Sequence, residues 1–149
     1  MINLSKYIYV GLTCTLIFCS GGNAHSQTED PIIKARMMAM KEIALSLKTL
    51  SKINRGMKSF NLTEIEDLLL IIENRSSEVP DLFKIYATDP FTEAATEIWS
   101  NFDDFKNLAK DMETIASQSR SNIKTKEQIG DAIKDLGKTC KSCHSKYRN

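Results

Sequence analysis

The sequence contains few residues of the kinds that carry out chemistry. Its 149 residues include 2 histidines, 4 cysteines and 1 tryptophan. We find no catalytic triad, no glycine-rich phosphate loop and no pair of facing carboxylates. The serines are scattered, and Asp103 and Asp104 are adjacent on a predicted helix, where a solvated face is usual. We therefore expect a protein that binds or carries a partner, and not an enzyme.

The sequence also lacks an excess of charge of either sign. Lysine and arginine together number 20, and aspartate and glutamate together number 19. A neutral chain offers no electrostatic reason to expect nucleic acid as a partner.

Long apolar runs are missing apart from residues 7–19. This run is shorter than the roughly 20 residues that cross a bilayer, so we expect no permanent membrane span. It follows Lys6 and precedes small and polar residues that end at Ala24, an order typical of a secretory signal peptide. We predict that residues 1–24 are the signal peptide and that residues 25–149 form one exported, periplasmic domain.

Removal of this leader would also remove Cys14 and Cys19, which leaves Cys140 and Cys143 as the only cysteines of the exported domain. His25 would then lie in a polar lead-in ahead of the first predicted element. An exported pair of cysteines raises the hypothesis of a disulfide, in a bundle without a cofactor.

Helical periodicity fills the rest of the chain, without strand alternation, internal repeats or low-complexity tracts. The first helix is predicted to start at the cap Asp30 with Pro31 in its first turn, and its apolar stripe runs through positions 33, 37, 40, 44, 47 and 50. The second helix is predicted from a capping box at Asn61 and is expected to stop before Pro80.

The third helix is predicted to start at Thr92, after an irregular connection that contains Pro90. The fourth follows a capping box formed by Thr125 and Gln128, and it runs through the C-terminal sequence "CKSCHSKYR". Four amphipathic helices predict an all-α, antiparallel four-helix bundle. A three-helix bundle with a mobile first helix is the weaker alternative.

Cys140, Cys143 and His144 spell C-x-x-C-H within the fourth helix. A redox disulfide of the thioredoxin kind prefers a helix N-terminus, whereas this pair lies near a C-terminus. A structural zinc site needs four ligands, and the exported domain offers few. Covalent attachment of haem uses both thiols and the adjacent imidazole, and the spacing favours this hypothesis.

These residues carry a family resemblance that covers essentially the whole exported domain. "CKSCHSKYR" resembles the C-terminal end of the class II cytochromes c, that is, cytochrome c′ and its low-spin relatives. "IIKARMMAMKEI" is similar to the family's first helix and "EIWSNFDDFKNLA" to its third, while "LFKIYATDPFT" departs from the family's usual proline- and glycine-containing turn.

The resemblance implies one covalent haem c, with thioether links at Cys140 and Cys143 and with His144 as the proximal iron ligand. It implies that Arg148 acts beside the proximal histidine. It also implies pairing of two copies as a homodimer through the first two helices, and redox partner proteins in the periplasm.

Arg36 lies one helical turn before Met40, so both side chains can face the same haem. We predict that Met40 binds the iron and that Arg36 points toward a propionate. Ligation by Met40 would give a low-spin haem that carries single electrons. If Met40 only packs there, the iron would be five-coordinate, and the protein would bind nitric oxide or carbon monoxide.

Overall fold

The computed structural model describes residues 28–149, so the predicted signal peptide and His25 lie outside the described residues. Most of the described chain is helical. In chain order, the helices are α1 (Pro31–Asn54), α2 (Leu62–Leu82), α3 (Glu97–Ser100), α4 (Phe102–Asn122) and α5 (Lys126–Tyr147).

The starts of α1 and α5 confirm the predicted caps. The Asp30 carboxylate accepts hydrogen bonds from the amides of Ile32 at 2.7 Å and Ile33 at 3.2 Å. At α5, the amide of Thr125 donates to the side-chain oxygen of Gln128 at 3.0 Å, within a complete capping box. These helices start where short-range side-chain chemistry predicts.

The prediction that α2 stops before Pro80 is wrong, because the helix continues to Leu82. Asn61 caps its start as expected, accepting the Glu64 amide at 3.0 Å. Pro80 lies in the last turn, so the hydrogen bond that its missing N–H cannot donate is lost only at the end of the helix. The burial of Val79 and Phe83 on either side stabilises this last turn in helical form.

The predicted start of the third helix at Thr92 is also wrong. Helical structure begins with the single turn α3 and is interrupted at Asn101 before α4 begins. The amide of Ala95 donates to the carbonyl of Tyr147 at 3.0 Å, and the amide of Asn149 donates to the carbonyl of Glu93 at 2.9 Å. This pairing with the end of α5 holds residues 93–95 extended, so they cannot join a helix.

The four long helices form the predicted four-helix bundle, in which α1 packs on α2 and α5, and α4 packs on α2 and α5. Short connections join α1 to α2 and α4 to α5, and the long connection 83–101 crosses from one pair to the other. Within residues 28–149, none of these helices is apolar over enough of its length to span a membrane.

Two hydrophobic clusters occupy the two ends of the bundle. The closed-end core lies near the two short connections, and the cavity-end cluster lies near the long one. The closed-end core contains Ile43, Leu50, Ile53, Ile65, Leu69, Ile72, Ala116, Ile123, Ile129, Ala132 and Leu136. The cavity-end cluster contains Val79, Phe83, Ile98, Phe105, Ala109 and Tyr147.

Candidate haem site

A cavity of about 480 Å³ opens beside the cavity-end cluster. Its walls come from α1, from the end of α5 and from the long connection, and they are mostly apolar. The lining side chains from α1 are those of Ile33, Arg36, Met37, Met40, Lys41 and Ala44. The predicted apolar stripe of α1 therefore faces the cavity in its first half, and its second half continues into the closed-end core through Leu47 and Leu50.

The end of α5 brings the C-x-x-C-H motif to this cavity. Cys143, His144 and Arg148 line the cavity, and Cys140 lies one turn earlier on the same helix, half-buried. Residues three apart share one face of a helix, so both cysteines face the same side of α5. The two thiols are not bonded to each other.

The protonation states of the motif follow from its surroundings. Burial, together with the neighbouring Cys140 and Asp104, raises the pKa of the Cys143 thiol to about 11. Burial likewise raises the pKa of Cys140. The pKa of His144 is lowered by burial and then by the positive charge of Arg148, although the cavity leaves its side chain open to solvent. At neutral pH the imidazole is therefore uncharged, which is the form that binds a metal ion.

Met40 lies in the cavity wall contributed by α1, half-buried. Met37, one turn earlier, lines the same cavity, and so does Lys41. Met37 shares the helical face of Met40 at a spacing of three residues, so it is a second candidate ligand that was not predicted from the sequence.

Arg36 is almost fully buried, with 3% of its surface exposed. Its guanidinium donates to three backbone carbonyls: to that of Leu82 at the end of α2 at 2.9 Å, and to those of Ala87 and Ile85 in the long connection at 3.0 Å and 2.6 Å. It also lies over the rings of Phe83 and Trp99, with its carbon 4.4 Å and 5.4 Å from their centres. Burial lowers the pKa of Arg36, which the charge of Asp30 partly offsets. The propionate contact stays a prediction, and these carbonyls are contacts that the sequence did not reveal.

Arg148 lies at the rim of the cavity and forms an ion pair with Glu93. Its Nε donates to the Glu93 carboxylate at 2.6 Å, and both side chains are largely exposed. Glu93 and its neighbours Phe91, Thr92 and Ala94 also line the cavity. The sequence does not reveal these lining residues, because its pattern predicts that residues 91–94 belong partly to a loop and partly to the start of a helix.

Aromatic side chains form the rest of the wall. Phe105 packs against Phe83 and Tyr147, with ring centres 5.0 Å and 5.4 Å away. The Tyr147 hydroxyl donates to the Asp104 carboxylate at 2.6 Å, which raises the pKa of Tyr147 to about 12 and lowers that of Asp104. Trp99 lies behind Phe83, half-buried, and its indole N–H donates to the carbonyl of that residue at 2.8 Å.

The side chains that surround the cavity fit a covalently attached haem. Two protonated thiols lie on one face of α5, and a neutral imidazole and a thioether border the cavity. Cationic side chains of the lining could pair with the two propionate carboxylates of a haem. Zinc fits less well: among the residues the structure describes, no three histidine, cysteine or acidic side chains come close enough to share an ion.

Known proteins resemble this chain both in sequence and in fold. A protein-family model described as Cytochrome C′ matches residues 31–148. A cytochrome c-556 from Agrobacterium fabrum is 32% identical over 117 residues, which cover 78% of this chain and 80% of that protein.

Solved structures of similar fold include a cytochrome c′ from Rhodopseudomonas palustris, with a TM-score of 0.73 and 23% identity over 81% of this chain and 98% of that one. They also include an NMR-validated structural model of oxidized R. palustris cytochrome c556, with the same TM-score of 0.73 and 19% identity over 80% of this chain and 96% of that one. The fold therefore does not distinguish between these two kinds of cytochrome.

Proposed function

The chain belongs to the cytochrome c′ family, and from this premise we propose that it is a periplasmic c-type cytochrome that carries single electrons on one covalent haem c. The observation that carries the proposal is the cavity that brings the C-x-x-C-H motif of α5 and Met40 of α1 to one apolar space. Bound haem would supply an iron that changes charge by one electron.

In this proposal, the side chains of the site attach the haem, bind its iron and form its surroundings. Cys140 and Cys143 would hold a haem covalently, through thioether links made by their thiols. His144 and Met40 would each supply a ligand to its iron, from two helices that pack side by side. Mostly apolar walls border the space between them, and Arg148 places a positive charge near His144.

Covalent attachment is tested on the denatured protein. We expect the haem to remain bound to the chain under denaturing conditions and to be lost completely when Cys140 and Cys143 are both replaced by alanine. Retention of covalent haem in this double variant would refute the assignment of the thioether links.

Ligation by Met40 is tested by the visible spectrum of the reduced holoprotein, with and without carbon monoxide. A methionine ligand gives a low-spin spectrum and slow uptake of the gas, because the gas must displace the sulfur. The second candidate function is a five-coordinate haem that binds nitric oxide or carbon monoxide, and a high-spin spectrum with fast uptake would favour it. This second candidate function is retained because the fold is as similar to that of a cytochrome c′ as to that of a cytochrome c556.

Export and association complete the proposal. We propose that residues 1–24 are removed on export, so that the periplasmic protein starts near His25, which mass spectrometry of the exported protein tests.

We also propose that electrons pass to and from other periplasmic proteins without further chemistry on a substrate. Two copies would pair through α1 and α2, whose outer surface exposes the apolar side chains of Met38, Leu45 and Ile71.

A further inference from the structure

The start of the long connection runs between two parts of the cavity wall, Phe83 and residues 91–94, and secondary structure does not hold it. Residues 85–88 take part in no backbone-to-backbone hydrogen bond within the described chain. The same connection continues into Phe91, Thr92, Glu93 and Ala94, which line the cavity. A stretch of backbone with so few bonds of its own opens easily unless side chains hold it.

Arg36 supplies the missing bonds. Its three donated hydrogen bonds reach the carbonyls of Leu82, Ile85 and Ala87, so they span the end of α2 and the start of the connection. The guanidinium reaches these acceptors from three separate nitrogen atoms, Nε, Nη1 and Nη2, whereas a lysine ammonium offers all its donors from a single nitrogen. The rings of Phe83 and Trp99 cover the guanidinium and exclude water from these bonds.

Arg36 also belongs to the wall of the cavity that α1 contributes. It lies on α1 one turn before Met40, and both side chains line the cavity. The same turn of helix therefore presents the thioether and holds the connection that closes the cavity on another side.

We propose that Arg36 is a positioning residue that fixes residues 83–94 as a wall of the haem cavity. The proposal rests on the proposed function only in taking this cavity as the haem site. It differs from the propionate contact predicted from the sequence, because it depends on the directions of three N–H groups and not on charge alone.

Limited digestion of the holoprotein with trypsin tests the proposal at two positions of one chain. Lys84 lies at the start of the connection, and Lys58 lies between α1 and α2, at the closed end of the bundle; both are exposed. In Arg36→Met we expect cleavage after Lys84 to accelerate about tenfold or more, since hydrogen bonds from a charged donor are lost. Cleavage after Lys58 should keep its wild-type rate.

Two further variants separate positioning from charge. Arg36→Lys keeps the positive charge, and we expect it to accelerate cleavage after Lys84 nearly as much as Arg36→Met does. Arg75→Met is the matched control, because Arg75 forms ion pairs with Glu42 and Glu78 on the outer surface of α1 and α2. It should leave cleavage after Lys84 unchanged.

Two results would overturn the proposal. One is a wild-type cleavage rate after Lys84 in Arg36→Lys, which would mean that charge alone suffices. The other is an equal acceleration after Lys84 and Lys58, which would mean that Arg36 acts on global stability. The proposed function fails on a different measurement, namely the absence of covalent haem in the wild type, and the cleavage pattern does not depend on that result.

Discussion

The closed-end core and the cavity-end cluster belong to the same four helices, yet they differ in side chains and in chain path. The closed-end core is aliphatic, and short connections join its helices. The cavity-end cluster is built around aromatic rings, and the long connection and the chain end at Asn149 run beside it.

This difference separates two tasks within one bundle. Aliphatic side chains fill the closed end, and nearly all of them are fully buried. At the other end, rings and hydrogen-bonded loops surround a space instead of filling it. We therefore expect substitutions at the closed end to change the free energy of unfolding, and substitutions at the cavity end to change the properties of the haem.

The largest effect on stability is expected for Ile65→Ala in the closed-end core. Ile65 is 0% exposed, and removal of such a side chain costs about 2–5 kcal/mol of the free energy of unfolding. Urea denaturation measures this loss. The visible spectrum of the holoprotein should stay unchanged. Leu70→Ala, at a position 39% exposed on the same helix, is the control and should cost far less. A changed visible spectrum in Ile65→Ala would contradict the division between the two ends.

The largest effect on the haem is expected for Met40→Ala. Loss of the thioether should leave a five-coordinate iron, faster binding of carbon monoxide and a lower reduction potential, because Met/His ligation raises the potential. Stability should fall by less than in Ile65→Ala, since Met40 is only half-buried. Met37→Ala removes a neighbouring methionine of the same cavity and serves as the control. If Met37→Ala alone changes the spin state, the ligand is Met37.

A smaller effect, dependent on pH, is expected for Tyr147→Phe. The bond to Asp104 lowers the pKa of that carboxyl group, so its contribution is present above the unfolded pKa of about 3.9 and is lost as the pH falls through the folded pKa. The same bond raises the pKa of Tyr147 to about 12, so the contribution is complete below the unfolded pKa of about 10. Stability should differ most between wild type and variant from about pH 4 to about pH 10. A difference that persists unchanged at pH 2 would show that the ring contacts, and not the hydrogen bond, are responsible.

The smallest effects are expected at the exposed pair of Glu93 and Arg148. A carboxylate near the iron favours the more positive, oxidised state, so Glu93→Gln should raise the reduction potential and Arg148→Gln should lower it. Solvent screens both charges, and the shifts should shrink at high salt. The double variant should return close to the wild-type potential. Shifts of the same sign in both single variants would exclude this electrostatic account.

The sequence predicted those parts of the fold that depend on neighbouring residues. Asp30 and Thr125 cap their helices through backbone groups two or three residues away. The wrong boundaries, at Pro80 and Thr92, depend on groups far along the chain, since the extended form of residues 93–95 requires pairing with Tyr147 and Asn149.

The same distinction holds for the candidate site. Spacing alone identified the C-x-x-C-H motif and the face shared by Arg36 and Met40, and the structure places all of these residues except Cys140 in the cavity lining. The acceptors of Arg36 could not be foreseen, because carbonyls of residues 82–87 have no signature in the sequence.

The residues of the site lie far apart in the sequence, and this affects the order in which haem attachment and folding occur. Cys140, Cys143 and His144 lie within five consecutive residues, so the covalent attachment can be completed on a chain that has not yet folded. Met40 is about a hundred residues away in sequence and meets them only when the bundle closes, because contacts between distant segments form late. With the proposed ligation by Met40, a newly made molecule would therefore bind its haem first and acquire its electron-carrying properties afterwards, when folding brings the sulfur to the iron.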